Sequence, residues 1–173
     1  FPFNLFAWVV AMVRFAVLVH DLGKGTTPKD KLPSHHGHEE RGAKIIAKLC
    51  ERYRIPNKYR DLAMNVSKFH LDCHRIQEMK PETVLKKLEQ LDAFRRTKRF
   101  EQFLIACEAD AKGRAGFENR EYPQAEYFQK AFKAASEVIS LTLQKQGLKG
   151  KALGQEIKNK RIENIKHMST HHP

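Results

Sequence analysis

The sequence predicts an all-α fold, and three observations carry that expectation. Apolar residues recur at three- and four-residue spacing along most of the chain. No segment alternates apolar and polar residues between turn signals as a half-buried strand does. The composition, 41% hydrophobic and 30% charged with nine glycines in 173 residues, is that of a folded helical protein and not of a disordered one. A chain of this length supports one globular domain.

Six or seven helices follow from the periodicity. The first runs from about Leu5 to Leu22, is apolar on all sides as expected of a central covered helix, and ends at Gly23 and Gly25. A long polar loop from Lys24 to Gly37 holds Pro28, Pro33 and the run Ser34-His35-His36-Gly37-His38. The second helix, about Glu39 to Arg54, puts Ala43, Ile46, Leu49, Cys50 and Tyr53 on one stripe and stops at Pro56. The third starts at Asn57, with Leu62, Ala63, Val66, Phe69 and Cys73 inward. Pro81 opens a fourth at its first turn, carrying Val84, Leu85, Leu88 and Leu91. The fifth, Phe100 to Ala111, faces Phe103, Leu104 and Cys107 to the core. A loop through Pro123 leads to a longer helix, about Gln124 to Gln146. Gly147-Leu148-Lys149-Gly150 breaks the chain before a final basic helix, and Ser169 to Pro173 is expected to fray. Two segments are expected: a domain over residues 1–142, and a basic helix and tail over 143–173.

Cys50, Cys73 and Cys107 each sit in an apolar helical pattern with no close-spaced partner, so reduced core thiols in a cytoplasmic protein are expected, not a disulfide framework or cysteine zinc site. The apolar run Phe6 to Val19 is broken by Arg14 and falls short of the ~20 residues of a bilayer span. No small-residue cleavage site follows it, so neither a membrane partner nor a signal peptide is expected. The sequence opens at Phe1 inside an apolar run, as a piece of a longer protein would. With 32 Lys and Arg against 20 Asp and Glu, the formal charge is +12. That imbalance favours a polyanionic partner, nucleic acid first.

The chemistry-bearing residues come from separate helices. His20 and Asp21 end an apolar helix, where an unpaired carboxylate is costly to bury, so a cation is expected to meet them. On a helix surface the two side chains stand about 100° apart, close enough to share an ion. His38 opens the second helix. His70 lies on the buried stripe of the third, four residues after Val66, with His74 one turn further as an alternative. Asp110 follows Cys107 by three residues on the core face of the fifth. One inward histidine is ordinarily a satisfied core residue; several helices each offering a ligand-type residue make a metal site the better account. Mixed imidazole and carboxylate donors suit nickel, manganese, cobalt, iron or zinc more than calcium. Such an ion supports phosphate-ester hydrolysis without a protein nucleophile. Lys24, on a glycine-flanked loop, either holds the substrate phosphate or complements the dipole at the end of the first helix. His35 and His36 either line the pocket mouth or are solvated loop residues, and the second is expected except for support to the ligands.

These residues stand in flanks that resemble a known family. The stretch Val19-His20-Asp21-Leu22-Gly23-Lys24-Gly25, then His36-Gly37-His38-Glu39 with Gly42, Phe69-His70 with His74, and Glu108-Ala109-Asp110 with Gly113-Arg114-Ala115-Gly116-Phe117-Glu118, is similar to the HD domain of bacterial CCA-adding tRNA nucleotidyltransferases of the multifunctional kind. The similarity covers the chain from about Arg14 to the last helix. It implies an HD-domain helical bundle with divalent-metal phosphatase and 2′,3′-cyclic phosphodiesterase activity on nucleotides or RNA ends. It also implies nickel, manganese or magnesium as cofactor and a CCA-adding nucleotidyltransferase head in cis, without which this segment adds no nucleotides. His20, Asp21, His38, His70 and Asp110 become the implied metal ligands, with His20, Asp21 and Lys24 catalytic. One departure stands out: HD domains generally carry a further ligand histidine ahead of the His-Asp pair, and residues 1–19 contain none.

From Leu143 to His167 there are seven Lys or Arg and two Glu, opposite a stripe of Leu153, Ile157, Ile162 and Ile165. Lys149, Lys151, Lys158, Lys160 and Arg161 are therefore the expected contacts to tRNA phosphates. The alternative to an enzyme is a tRNA-binding module whose metal site is incomplete. A guanosine-tetraphosphate or deoxynucleotide hydrolase is disfavoured by the Gly-Arg-Ala-Gly-Phe-Glu stretch.

Overall fold

A computed structural model describes residues 5–138, 142 and 147–170 of the chain. Among these residues there are seven α-helices, three short 3-10 turns and no strand. The helices are α1 (Leu5–Val19), α2 (His38–Arg52), α3 (Asn57–His74), α4 (Pro81–Gln90), α5 (Thr97–Lys112), α6 (Pro123–Ser136) and α7 (Gly150–Thr170). The all-α expectation holds. No described helix is long and apolar enough to cross a membrane.

The chain divides into two compact units. The first gathers the described residues up to His74 with Lys98–Tyr122; the second gathers Arg75–Thr97 with the described residues from Pro123 onward. This division differs from a break at residue 142. The terminal helix is part of the second unit, where α7 packs on α4 and α6.

In the first unit α3 lies against both α1 and α2. Its buried side chains Leu62, Ala63, Val66 and Cys73 join Ala16, Ile46, Phe100 and Phe103, all fully or nearly fully buried. Each large apolar side chain so buried contributes about 1.5–3 kcal/mol. In the second unit Val84, Leu85, Leu88, Phe128, Ala131 and Ile165 form the core. Pro81 sits at the start of α4, where a missing N–H is harmless.

Several local expectations change. The first helix is not apolar all round in its burial: Met12, Val13, Ala16 and Val19 face inward while Leu18 is 80% exposed. Its apolar outer face comes from sequence, and packing covers only one side. It ends at Val19, three residues early, because the chain tightens into a 3-10 turn over Leu22–Thr26. The loop that follows contains that turn and a second over Lys29–Lys31. Tyr53 was expected inward but caps α2 and is 62% exposed, because the helix has already ended at Arg52. Helix α6 ends at Ser136, and most of the expected continuation to Gln146 lies outside the described residues. Ser169 and Thr170 belong to α7, and the remainder of the expected frayed tail lies outside them.

Candidate metal centre

Two glycines let three elements meet. A Cβ on Gly23 would lie 2.0 Å from the His38 carbonyl oxygen and 2.6 Å from the Gly42 nitrogen, both backbone atoms that cannot swing aside. A Cβ on Gly42 would lie 2.5 Å from Ser67 Oγ and 3.3 Å from the His20 carbonyl oxygen. The 3-10 turn therefore presses on the start of α2 with backbone against backbone, and α2 meets the Ser67 hydroxyl of α3. His20 and Asp21 sit where α1 gives way to that turn, with Asp21 at φ −97°, ψ 8°. The turn, not an α-helical surface as expected from sequence, sets how the pair is presented. Gly37, at φ 72°, bends the chain into α2 so that His38 is its first residue.

The five expected ligand residues come together within the first unit. His38 Nε2 and His70 Nε2 approach Asp21 Oδ1 to 3.3 and 3.8 Å. His20 Nε2 stands 3.3 Å from both Asp21 Oδ2 and Asp110 Oδ1. One donor atom each from His20, Asp21 and His70 lies within 4.8 Å of the others. His20, His38 and His70 are buried, and Asp110 is 16% exposed.

All three imidazoles are held the same way. Nδ1 of His20 faces the Val17 carbonyl at 2.7 Å, that of His38 the His35 carbonyl at 2.9 Å, and that of His70 the Val66 carbonyl at 3.0 Å. A carbonyl only accepts, so each Nδ1 carries the proton and donates, and each Nε2 is aimed inward. That is the arrangement by which proteins orient metal-binding histidines. His20 Nε2, His38 Nε2 and Asp21 Oδ1 are buried with no hydrogen-bond partner among the described residues. Three orphaned polar atoms in one cluster of side chains are expensive if the cluster is purely structural. A divalent cation satisfies all three, so the residues fit a metal ion.

The electrostatics agree. Burial resists a charge on His20, but the Asp110 and Asp21 carboxylates outweigh it and push its pKa up to about 10. Burial likewise opposes ionisation of Asp21 and Asp110, yet His20 holds both carboxyls well below the usual range, helped by Lys24 at Asp21 and by His74 at Asp110. Burial and the neighbouring His20 charge push His70 down, towards the neutral ring a ligand needs. A proton on His20 serves as the counter-charge to the two carboxylates.

Lys24 Nζ donates to Asp21 Oδ2, at the open side of the cluster. His36 is an exposed loop residue whose carbonyl accepts from Arg41 at 2.7 Å, whereas the His35 ring bonds the Thr27 hydroxyl at 2.9 Å and its carbonyl holds His38. Arg41 also donates to the Thr26 and Thr27 hydroxyls, pinning the loop to α2. His74 is turned to Asp110, with Nε2 2.9 Å from Oδ2, and its Nδ1 meets the Tyr122 hydroxyl at 2.8 Å. Between the two candidate histidines of α3, His70 reaches the cluster and His74 supports it.

In the second unit Lys149, Lys151 and Lys158 are exposed, and Lys160 lies 3.8 Å from Glu156. Arg161 departs from this row. Its guanidinium carbon lies 4.0 Å from the Phe94 ring centroid, and burial pushes its pKa down.

Sequence reasoning missed Arg41, Tyr122 and the close approach at Gly23 and Gly42. The glycines carried a signal, both standing in the flanks of ligand residues. Tyr122, in an irregular stretch before Pro123, carried none.

Residues 10–111 match the model of the HD domain family. The chain is 54% identical over 158 residues to the Multifunctional CCA protein of Thioalkalivibrio sulfidiphilus, covering 91% of this chain and 39% of that protein. It is 51% identical over 154 residues to the Multifunctional CCA protein of Nitrosococcus oceani, covering 89% of this chain and 38% of that one. The chain thus spans about two fifths of the length of these relatives. No solved structure matches it.

Proposed function

Because the chain belongs to the HD domain family, we propose that it is a divalent-metal-dependent phosphohydrolase acting on nucleotides or RNA ends, as 2′,3′-cyclic phosphodiesterase and phosphatase. The carrying observation is that His20 Nε2, His38 Nε2 and Asp21 Oδ1 are buried without a hydrogen-bond partner among the described residues, with His38 Nε2 3.3 Å from Asp21 Oδ1. His20, Asp21, His38, His70 and Asp110 would hold the ion, with nickel, manganese and magnesium the candidates. When bound, such an ion supplies Lewis acidity to a phosphoryl oxygen and acidifies water at the site.

The chain's own residues do the rest. The Nδ1–H donors to Val17, His35 and Val66 keep the three rings from turning. Lys24, bound to Asp21 and partly exposed, can transfer its hydrogen bond to a substrate phosphate oxygen, neutralising charge as it develops there. In the hydrolysis, the oxygen of water bonds to phosphorus, one P–O ester bond breaks, and the departing oxygen takes up a proton.

A tRNA partner, a nucleotidyltransferase head in cis and a cytoplasmic setting belong to the same proposal. They are supported by the likeness to Multifunctional CCA proteins, the +12 charge and three free buried cysteines. A second reading, a tRNA-binding module with an incomplete metal site, is favoured by the exposed Lys149, Lys151 and Lys158 and by the +12 charge. Turnover of 2′,3′-cyclic AMP and of a chromogenic phosphate with nickel, manganese or magnesium separates the two. Hydrolysis that disappears in Asp21→Ala is expected. No turnover above that variant with any ion would overturn the enzymatic reading and leave the binding one.

A further inference from the structure

Asp110 uses its two oxygens differently: Oδ1 faces His20 Nε2 at 3.3 Å, and Oδ2 is bound by His74 Nε2 at 2.9 Å. A carboxylate only accepts, so His74 Nε2 carries a proton. On the other side of the ring, His74 Nδ1 and the Tyr122 hydroxyl share a hydrogen bond of 2.8 Å. The Tyr122 ring meets the His74 ring edge-on at 5.7 Å, and the same hydroxyl donates to Cys73 Sγ at 3.5 Å. Tyr122, His74 and Asp110 thus form a line of hydrogen bonds that ends on a side chain of the candidate metal centre. Tyr122 lies beyond residues 10–111, the part matched by the family model.

We propose that Tyr122 is a positioning residue of the metal centre, acting through His74 to fix the Asp110 carboxylate so that one oxygen is tied and the other is presented to the ion. Without the line, Asp110 can turn about its Cα–Cβ and Cβ–Cγ bonds, and the ion must order it at the cost of affinity. The hydrogen bond to the Tyr122 hydroxyl also holds the His74 ring, so that Nε2–H stays directed at Asp110.

The inference rests on the metal-centre reading above, and the test separates the two. The full chain is titrated with manganese against a chelator, and the cobalt-loaded protein is read by its visible d–d absorption, with thermal melting of the metal-free form as a folding control. Tyr122→Phe keeps the ring and loses the hydroxyl, and is expected to weaken manganese binding about 10-fold. His74→Leu is expected to weaken it further, towards 100-fold. His74→Gln, whose amide N–H can replace Nε2–H, is expected to recover much of the loss. The cobalt band should shift in Tyr122→Phe and His74→Leu, which general destabilisation does not produce. Wild-type affinity and an unchanged band in both variants would overturn the positioning role while the metal centre stands. If the native chain binds manganese no better than Asp21→Ala, both readings fall.

Discussion

His38 Nε2 lies 3.3 Å from Asp21 Oδ1, and neither atom has a hydrogen-bond partner among the described residues. The two belong to different elements and are brought together by Gly23 against the His38 carbonyl. An unsatisfied pair at this separation marks a place arranged for something between them. Replacing His38 should therefore harm binding more than folding. In His38→Leu the lost Nδ1 bond to the His35 carbonyl is offset by removal of a buried orphan, each an effect of about 1–2 kcal/mol. The expected outcome is a metal-free melting temperature near that of the native chain with manganese affinity lowered by more than about 100-fold, beyond what supporting residues cause. Calorimetric titration checks it, and undiminished affinity would remove His38 from the ligand set.

Metal binding should be linked to pH through His20. Its pKa, raised from 6.5 to about 10, means that the metal-free site carries a proton there at neutral pH. Binding at Nε2 displaces that proton, so affinity should rise with pH between 6 and 9 and loading near pH 7.5 should release protons to the buffer. Titration in weakly buffered indicator dye measures the release; none at pH 7.5 would contradict the assignment.

The metal-free protein should show the reverse trend. His20, raised in the fold, stabilises fully below pH 6.5, and that contribution fades as pH climbs towards 10. Asp21 and Asp110, depressed from 3.8, stabilise above about pH 4, and their contribution fades as pH falls. For these groups the metal-free optimum lies between about pH 4 and 6.5. Melting scans from pH 3 to 9 should show the gain from added manganese growing above pH 6.5; an equal gain at pH 5.5 and 8 would contradict the linkage.

Gly23 and Gly25, two residues apart, should respond oppositely to alanine. At Gly23 the new Cβ would meet backbone atoms at 2.0 Å, and about 3 kcal/mol of stability should be lost together with metal binding. At Gly25 nothing lies within 4 Å, and the change should be within about 0.5 kcal/mol. Urea unfolding of the two variants decides this.

The cations of α7 and Lys149 just before it should also separate. Joint replacement of Lys149, Lys151 and Lys158 by alanine should lower tRNA affinity and reduce the salt dependence by about one unit of slope per lysine. Arg161→Ala, which strips the guanidinium from the Phe94 face, should lower the melting temperature and barely move that slope. A slope change from Arg161→Ala equal to that of a lysine would return it to the RNA-facing row.

The sequence by itself determined the helices, because apolar spacing and the proline and glycine breaks act within a few residues of one another. It also determined which residue types were available to a metal, since His20, Asp21, His38, His70 and Asp110 each carried a local reason to face inward. Tertiary structure alone decided how they meet. The choice of His70 over His74 depends on which neighbour each ring finds, Asp21 or Asp110, across helices far apart in sequence. Whether α1 was covered on all sides could not be read from its uniform apolarity, since a pattern without contrast names no outer face. Tyr122 was invisible for a similar reason: in a stretch without periodicity, a side chain's role is fixed by what the fold places 2.8 Å away.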